Sequence, residues 1–143
     1  MPISWSTDIE SIDWLALEHL YRVAPLGNKS AAHLKTVFTN SRFRCFAYQE
    51  TVLVAAGRAL ADGADCSYIC DVAVLPEHQG LGLGKEVVNR LVEASSEHKK
   101  IILYSVPGKE GFYKKPGFLR MLTAMAIFQD KQAAIATGHL GEA

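Results

Sequence analysis

Apolar residues recur at near-helical spacing in the first part of the chain, which predicts helices. Over residues 11–23 these positions are Ile12, Leu15, Leu17, Leu20 and Val23. Ser11 is the expected N-cap of this first helix, because its hydroxyl can accept a hydrogen bond from a first-turn amide. Pro25 ends the pattern, and a second, shorter helix is predicted from Ser30 to about Phe38.

The middle of the chain shows short apolar runs separated by turn residues, which is typical of strands. Strands are predicted over residues 43–48, 51–61 and 66–75. Gln49-Glu50 and Asp62-Gly63 are the expected turns between them. These runs therefore predict neighbouring antiparallel strands.

Helices alternate with strands in the second half of the chain. The predicted elements are a helix over 83–96, a strand over 101–106, a short helix over 109–115 and a strand over 118–128. Two interpretations stay open after Asp130, a helix over 132–136 or a loose tail. Strands separated by helices predict a mixed α/β sheet with helices on both faces.

Composition narrows the class of protein without changing this fold. The 143 residues suit a single domain over residues 1–143. The 15 basic and 15 acidic residues cancel, so no nucleic-acid partner is expected. No signal peptide and no apolar run of membrane-spanning length are recognised, so no membrane partner is expected. The three cysteines show no metal-ligand pattern, so no metal site is expected. Their small number favours reduced thiols and a cytoplasmic protein.

A glycine-rich stretch follows the strand predicted over residues 66–75. Gly80, Gly82 and Gly84 occupy every second position. Glycines let a ligand approach the backbone closely and permit positive φ. Because the stretch leads into a helix N-terminus, where amides lack partners and the helix dipole favours an anion, it predicts a phosphate-binding loop.

Two common phosphate-binding motifs do not fit this loop. A P-loop needs Gly five positions before its Gly-Lys pair and Ser or Thr after it, whereas this chain has Gln79 and Glu86 there. A G-x-G-x-x-G dinucleotide motif needs its third glycine where this chain has Lys85 or Val87. The loop therefore belongs to neither class.

The motif that fits is Gln-x-x-Gly-x-Gly, formed by Gln79, Gly82 and Gly84. It resembles the acyl-CoA signature of the GCN5-related N-acetyltransferases, the GNAT superfamily. Downstream, the segment 112–118, Phe-Tyr-Lys-Lys-Pro-Gly-Phe, is similar to the F-Y-x-K-x-G-F segment of that superfamily. The resemblance covers residues 44 to 128 or so. It implies a mixed α/β (α+β) fold whose mostly antiparallel sheet splays apart between its two central parallel strands.

The resemblance also implies acetyl-CoA as the co-substrate, without a metal. In the family, the pantetheine arm lies along the strand before the loop like an added strand, and the loop amides hold the pyrophosphate. The matching candidate cofactor-binding residues are Val72, Ala73, Val74, Gln79, Gly80, Leu81, Gly82, Leu83, Gly84, Lys85, Phe112 and Lys115. One departure is Lys109, which stands about where many relatives carry an Asn that contacts pantetheine.

Tyr113 and Asp71 are the candidate catalytic residues. In many relatives the tyrosine of the F-Y segment donates a proton to the leaving thiolate, a task that suits a phenol with a pKa of about 10; otherwise Tyr113 is a core aromatic. Asp71 lies in an otherwise apolar strand, where a carboxylate needs a partner or a purpose. It resembles the acidic position of the E-D-I-A-V stretch in glucosamine-phosphate acetyltransferases. It would act as a base through water, orient the substrate ammonium, or anchor a neighbouring strand.

These resemblances imply an N-acetyltransferase in which the primary amine of a small molecule attacks the bound thioester directly. The segment Gly57-Arg58-Ala59 favours a small amine, because it resembles a segment of aralkylamine acetyltransferase relatives. An enzyme acting on protein lysines or N-termini and a non-catalytic acyl-CoA-binding regulator are the alternatives. A homodimer is common among relatives, so it is one assembly that the resemblance implies.

Overall fold

The computed structural model describes residues 2–141. Its backbone divides into two compact units, one ending at Leu103 and one beginning at Tyr104. The regular elements of the first unit are β1 (Ile3–Ser6), α1 (Trp14–Val23), α2 (Ala31–Thr39), β2 (Phe43–Gln49), β3 (Val52–Ala61), β4 (Cys66–Val74), a 3₁₀ turn (Pro76–His78), α3 (Leu83–Ala94) and β5 (Lys100–Ile102). The second unit contains a 3₁₀ turn (Glu110–Tyr113) and α4 (Lys131–Ala136).

The five strands form one mixed sheet in the order β1-β2-β3-β4-β5. Neighbouring strands are antiparallel except for the parallel pair β4 and β5. Strand β5 pairs only with the segment Cys66–Tyr68 of β4. From Ile69 onward, β4 therefore has no strand neighbour on that side in the described part of the chain, because β5 ends at Ile102.

Helices cover both faces of the sheet, as the sequence predicts. Successive residues of a strand point to opposite faces, and Cys45 and Phe46 of β2 show the two environments. The ring of Phe46 stacks on Phe38 of α2, with centroids 5.5 Å apart. Cys45 lines a cavity together with Leu91 of α3. Helices α1 and α2 thus lie on one face and α3 on the other.

The predicted start of the first helix is wrong by two residues. Asp13, not Ser11, is the N-cap of α1, and its carboxylate accepts hydrogen bonds from the amides of Leu15 and Ala16. The Ser11 hydroxyl instead donates to Asp8. The start of α2 is confirmed, because Ser30 accepts from the amide of His33.

The second unit does not contain the strand predicted over residues 118–128. That segment is irregular, and its apolar side chains face solvent, with Leu119 91% and Met125 94% exposed. A strand is stable only beside other strands, and residues 104–141 contain none. The strand predicted over residues 101–106 is also shorter in the structure, where only β5 (Lys100–Ile102) forms.

After Asp130 the helical interpretation is the one observed. Helix α4 covers Lys131–Ala136, and the Asp130 carboxylate caps it by accepting a hydrogen bond from the amide of Ala133.

Among residues 2–141, the structure contains no helix with both the length and the apolar character needed to cross a membrane.

Gly57 lets α3 pack directly onto β3. A Cβ atom at this position would lie 2.7 Å from Cγ1 of Val87 and 3.1 Å from Cδ1 of Leu91. Both of these α3 residues are buried, so they have little room to move. The missing side chain of Gly57 therefore sets the distance between this helix and the sheet.

We expect Gly57→Ala to lower the free energy of unfolding by about 1–3 kcal/mol, the usual cost of overpacking a core. Urea denaturation measures the change. Gly111→Ala is the control, because a Cβ there meets nothing within 4 Å. Equal stabilities of the two variants would contradict this account of the packing.

Candidate functional site

Strand β4 carries one extra residue just beyond the segment that pairs with β5. Ala56 of β3 faces Ala73, and Arg58 faces Cys70, so Asp71 and Val72 together occupy the place opposite Gly57. This is a β-bulge, which bends a strand and increases its twist locally. The predicted catalytic carboxylate and the first predicted pantetheine-binding residue are thus the two residues of the bulge.

Asp71 has a left-handed backbone conformation, with φ of 56°. Few non-glycine residues adopt positive φ, although Asp does so more readily than most. The hydroxyl of the buried Tyr21, on α1, donates a hydrogen bond to the Asp71 carbonyl. Burial, followed by the nearby Asp71 carboxylate, raises the pKa of Tyr21 well above its ordinary value. Tyr21 therefore stays protonated and is a permanent donor to the bulge.

The Asp71 carboxylate faces two cations. Arg58 Nε lies 2.8 Å from Oδ2, and both side chains are mostly buried. Arg58 also donates to the hydroxyl of Ser41 at 3.2 Å. Lys29 Nζ lies 3.7 Å from the other oxygen, Oδ1. We call Lys29, Arg58 and Asp71 the bulge ion cluster. It explains how a carboxylate is tolerated in this strand, since buried charges require partners.

Cys70, the residue before the bulge, is a protonated thiol at neutral pH. Burial raises its pKa to about 11, with Arg58 opposing and Asp71 reinforcing the shift. Because the thiolate is the reactive form of cysteine, Cys70 is a poor nucleophile here. Burial likewise raises the pKa of Cys45 to about 11.

The free edge of β4 presents backbone groups after the bulge. The amide of Leu75 donates to the carbonyl of Val54 on β3. Since residues along an antiparallel strand point their hydrogen-bonding groups alternately toward and away from a neighbour, those of Val74 point away from β3 and those of Ala73 point toward it. The Val72 carbonyl also points away from β3, because it lies opposite the Ala73 amide across a trans peptide bond. Val72 and Val74 thus offer the edge to which an extended ligand can pair.

Gln79 is anchored to this edge. Its side-chain amide donates to the carbonyl of Val74 at 3.1 Å. The neighbouring His78 contacts Gln49 through Nε2 at 2.9 Å. The glutamine of the motif therefore fixes the start of the glycine loop to the end of β4.

The glycine loop has the backbone conformation that the sequence predicts. Gly80 and Gly82 have φ of 83° and 84°, in the region that favours glycine. Gly82 is the N-cap of α3 and has no side chain to satisfy an amide. Helix geometry leaves the first-turn amides of Leu83, Gly84 and Lys85 without intrahelical acceptors. These amides, at the positive end of the α3 dipole, can hold a phosphate group.

The other predicted site residues lie in the second unit. Tyr113 is half-buried, and its ring centroid lies 5.0 Å from that of Phe112 and 6.0 Å from that of Phe118. Burial raises the pKa of Tyr113, so the phenol is protonated at neutral pH and able to donate. Phe112 is partly exposed and Lys115 is exposed. Their roles toward acetyl-CoA stay predictions.

Sequence reasoning missed the partners of Asp71. The first unit brings Asp71 together with Tyr21, Lys29 and Arg58, none of which the sequence linked to this carboxylate, although Tyr21 was a candidate for lining the acceptor pocket. The predicted turn at Asp62-Gly63 did not reveal the Arg58 contact, because the connection spans residues 62–65 and sets the register that places Arg58 opposite Cys70, the residue before Asp71. No local pattern marks Lys29, which comes close only through the path of the chain between α1 and α2.

Groups of three or more His, Cys, Asp or Glu side chains arranged to hold a metal ion do not occur in residues 2–141.

Comparison with protein families matches residues 8–118 to the acetyltransferase (GNAT) family. The curated relatives include the uncharacterized N-acetyltransferase ycf52 of Pyropia yezoensis, 40% identical over 70 residues, which are 48% of this chain and 40% of that protein. Serotonin N-acetyltransferase 2, chloroplastic, of Oryza sativa subsp. japonica is 38% identical over 84 residues, 55% of this chain and 42% of that protein. The chain thus spans less than half the length of these two relatives.

A solved GNAT-family acetyltransferase of Streptococcus pneumoniae has the same fold. It superposes with a TM-score of 0.74 at 20% sequence identity, over 90% of this chain and 100% of that one. At this identity the likeness concerns the fold alone.

Proposed function

Because the chain belongs to the acetyltransferase (GNAT) family, we propose that it transfers an acetyl group from acetyl-CoA directly to the primary amine of a small molecule. The observation that carries the proposal is the continuous path formed by the bulge, the free edge of β4 and the glycine loop. Backbone groups of Val72 and Val74 suit the amide-containing pantetheine arm. The free amides from Leu83 to Lys85 suit the pyrophosphate.

The reaction needs a neutral amine, a polarised carbonyl and a leaving thiolate. The amine nitrogen attacks the thioester carbon, and the carbon–sulfur bond then breaks. One proton of the original ammonium passes to solvent before the attack, and Tyr113 donates its phenolic proton to the leaving thiolate. The second proton, which the nitrogen loses as the amide forms, returns Tyr113 to its neutral form. Asp71 orients the acceptor by its charge. Both Cys45 and Cys70 are protonated thiols, which favours direct attack over an acetylated cysteine intermediate.

A small amine acceptor is supported by two observations. One relative is named a serotonin N-acetyltransferase, and serotonin is an arylalkylamine. The Asp71 carboxylate lies directly before the proposed pantetheine edge, where it would face the ammonium group of an acceptor. A protein lysine and a non-catalytic regulatory role are the competing proposals.

The cytoplasmic location and the homodimer stay predictions. The rice relative is named as chloroplastic, and this name applies to that protein alone. The single-domain organisation over residues 1–143 also stays a prediction, although the family match at residues 8–118 extends across both compact units.

The substrate class is tested with an amine panel containing tryptamine, glucosamine 6-phosphate and a lysine-containing peptide. Release of free CoA thiol from acetyl-CoA is followed for each amine, with an acetylated-lysine peptide as the blank. We expect kcat/KM for tryptamine to exceed that for the peptide by about tenfold or more, a difference of about 1.4 kcal/mol in transition-state binding. Preference for the peptide would favour the protein acceptor, and no release with any amine would favour the regulator.

The role of Tyr113 is tested by removing its hydroxyl. We expect Tyr113→Phe to lower kcat by about 10²-fold, within the range for general acid–base groups, while KM for acetyl-CoA changes little. Tyr48→Phe makes the same chemical change on β2 and is the control. If kcat stays at the wild-type value although chemistry limits the rate, Tyr113 is not the proton donor.

A further inference from the structure

The two cations of the bulge ion cluster are held unequally. Arg58 contacts Asp71 Oδ2 at 2.8 Å, is fixed by Ser41 as well, and has a side chain that is only 13% exposed. Lys29 is 3.7 Å from Oδ1, beyond hydrogen-bonding distance, and 27% of its side chain is exposed. Arg58 is therefore a fixed part of the site, whereas Lys29 is a loosely held neighbour.

Lys29 has space and another carboxylate to move toward. It lies between α1 and α2, outside both helices. Its side chain lines a cavity of about 320 Å³ together with Glu18, Arg22, Asn28 and Ser30. Glu18 Oε2 is 3.7 Å from Arg22 Nη1, and this pair is partly exposed. A displaced Lys29 can thus exchange Asp71 for the surroundings of Glu18, a partly exposed carboxylate at which solvent screens the repulsion between Lys29 and Arg22.

The charges make Lys29 and a cationic ligand mutually exclusive at Asp71. One carboxylate facing two cations leaves the cluster with a net positive charge, which repels a third cation. Once Lys29 moves away, Oδ1 lacks a partner, and a buried carboxylate oxygen strongly favours a donor. An ammonium group is the ligand that replaces Lys29 with the same charge and the same hydrogen-bond donors.

We propose that Asp71 Oδ1 binds the ammonium group of the acceptor and that Lys29 occupies this position in the free protein as a built-in competitor. This inference rests on the proposed acetyl transfer. Asp71 directly precedes Val72, so an ammonium bound there lies beside the backbone edge assigned to pantetheine. The acceptor class is a primary amine that is cationic at neutral pH and carries no anionic group near the amine. An anionic group would bind Lys29 instead and hold it in place.

The steady-state test compares Lys29→Met with the wild type, using tryptamine as the acceptor. We expect KM for tryptamine to fall by about threefold to tenfold, the size of a weak ion pair, with KM for acetyl-CoA unchanged. Lys29→Arg keeps the cation and is expected to keep the high KM. Lys35→Met, at an exposed position of α2, is the matched control. An unchanged or raised KM for tryptamine in Lys29→Met would overturn the proposal.

A second measurement on the wild-type protein is independent of turnover. An amine-acylating reagent labels lysines, and mass spectrometry follows the rate at Lys29 and at Lys35. N,N-dimethyl-2-phenylethylamine is the probe, because it is cationic but cannot itself be acylated. We expect it to accelerate labelling of Lys29 severalfold and to leave Lys35 unchanged. An unchanged rate at Lys29 under saturating probe would overturn the displacement.

The two measurements also separate this inference from the proposed function. Faster Lys29 labelling in a protein that acetylates none of the amines would support the ammonium site and contradict the proposed acetyl transfer. Normal acetylation of tryptamine without any effect of Lys29→Met on its KM would support the proposed acetyl transfer and contradict the ammonium site.

Discussion

One extra residue in β4 governs the arrangement of the candidate site. Asp71 and Val72 share the place opposite Gly57, so the strand bends just beyond its last contact with β5. The bend leaves the backbone groups of Val72 and Val74 unpaired by any strand on that side, and such an edge is costly unless it is covered or used. This unpaired stretch of β4 lies next to a loop with free amides. The bulge therefore joins the fold to the edge at which we propose that an extended, phosphate-bearing ligand binds.

The contacts around the bulge come from both faces of the sheet. On one face, the missing side chain of Gly57 admits α3, whose first turn carries the amides without intrahelical acceptors. On the other, Tyr21 and the bulge ion cluster hold Asp71 in its left-handed conformation. In the proposed function, the same residue pair positions the donor through its backbone and faces the acceptor through its carboxylate. Under our proposal, the cations that make the buried carboxylate tolerable also control access to it.

The sequence predicted the parts of this site that depend on local chemistry. The glycine spacing identified the loop, because positive φ and a helix N-terminus are local requirements, and the apolar runs identified β2, β3 and β4. The bulge was not predictable, since it is a mismatch between two strands rather than a pattern in either. The contact between Lys29 and Asp71 was not predictable for a related reason, because only the tertiary structure brings these two residues together. The strand expected over residues 118–128 failed because apolar character predicts burial, whereas a strand also needs a neighbour.

The central claim is that the free edge of β4 and the first turn of α3 together hold acetyl-CoA. Amide hydrogen exchange, resolved by residue, tests it most directly. Acetyl-CoA should slow exchange at Val72, Val74, Leu83, Gly84 and Lys85, whereas acetylpantetheine, which lacks the pyrophosphate, should slow Val72 and Val74 alone. Ala73, whose amide points toward β3, should change little with either. If acetyl-CoA raises the melting temperature but leaves exchange at Val72, Val74 and the α3 amides unchanged, the account is contradicted.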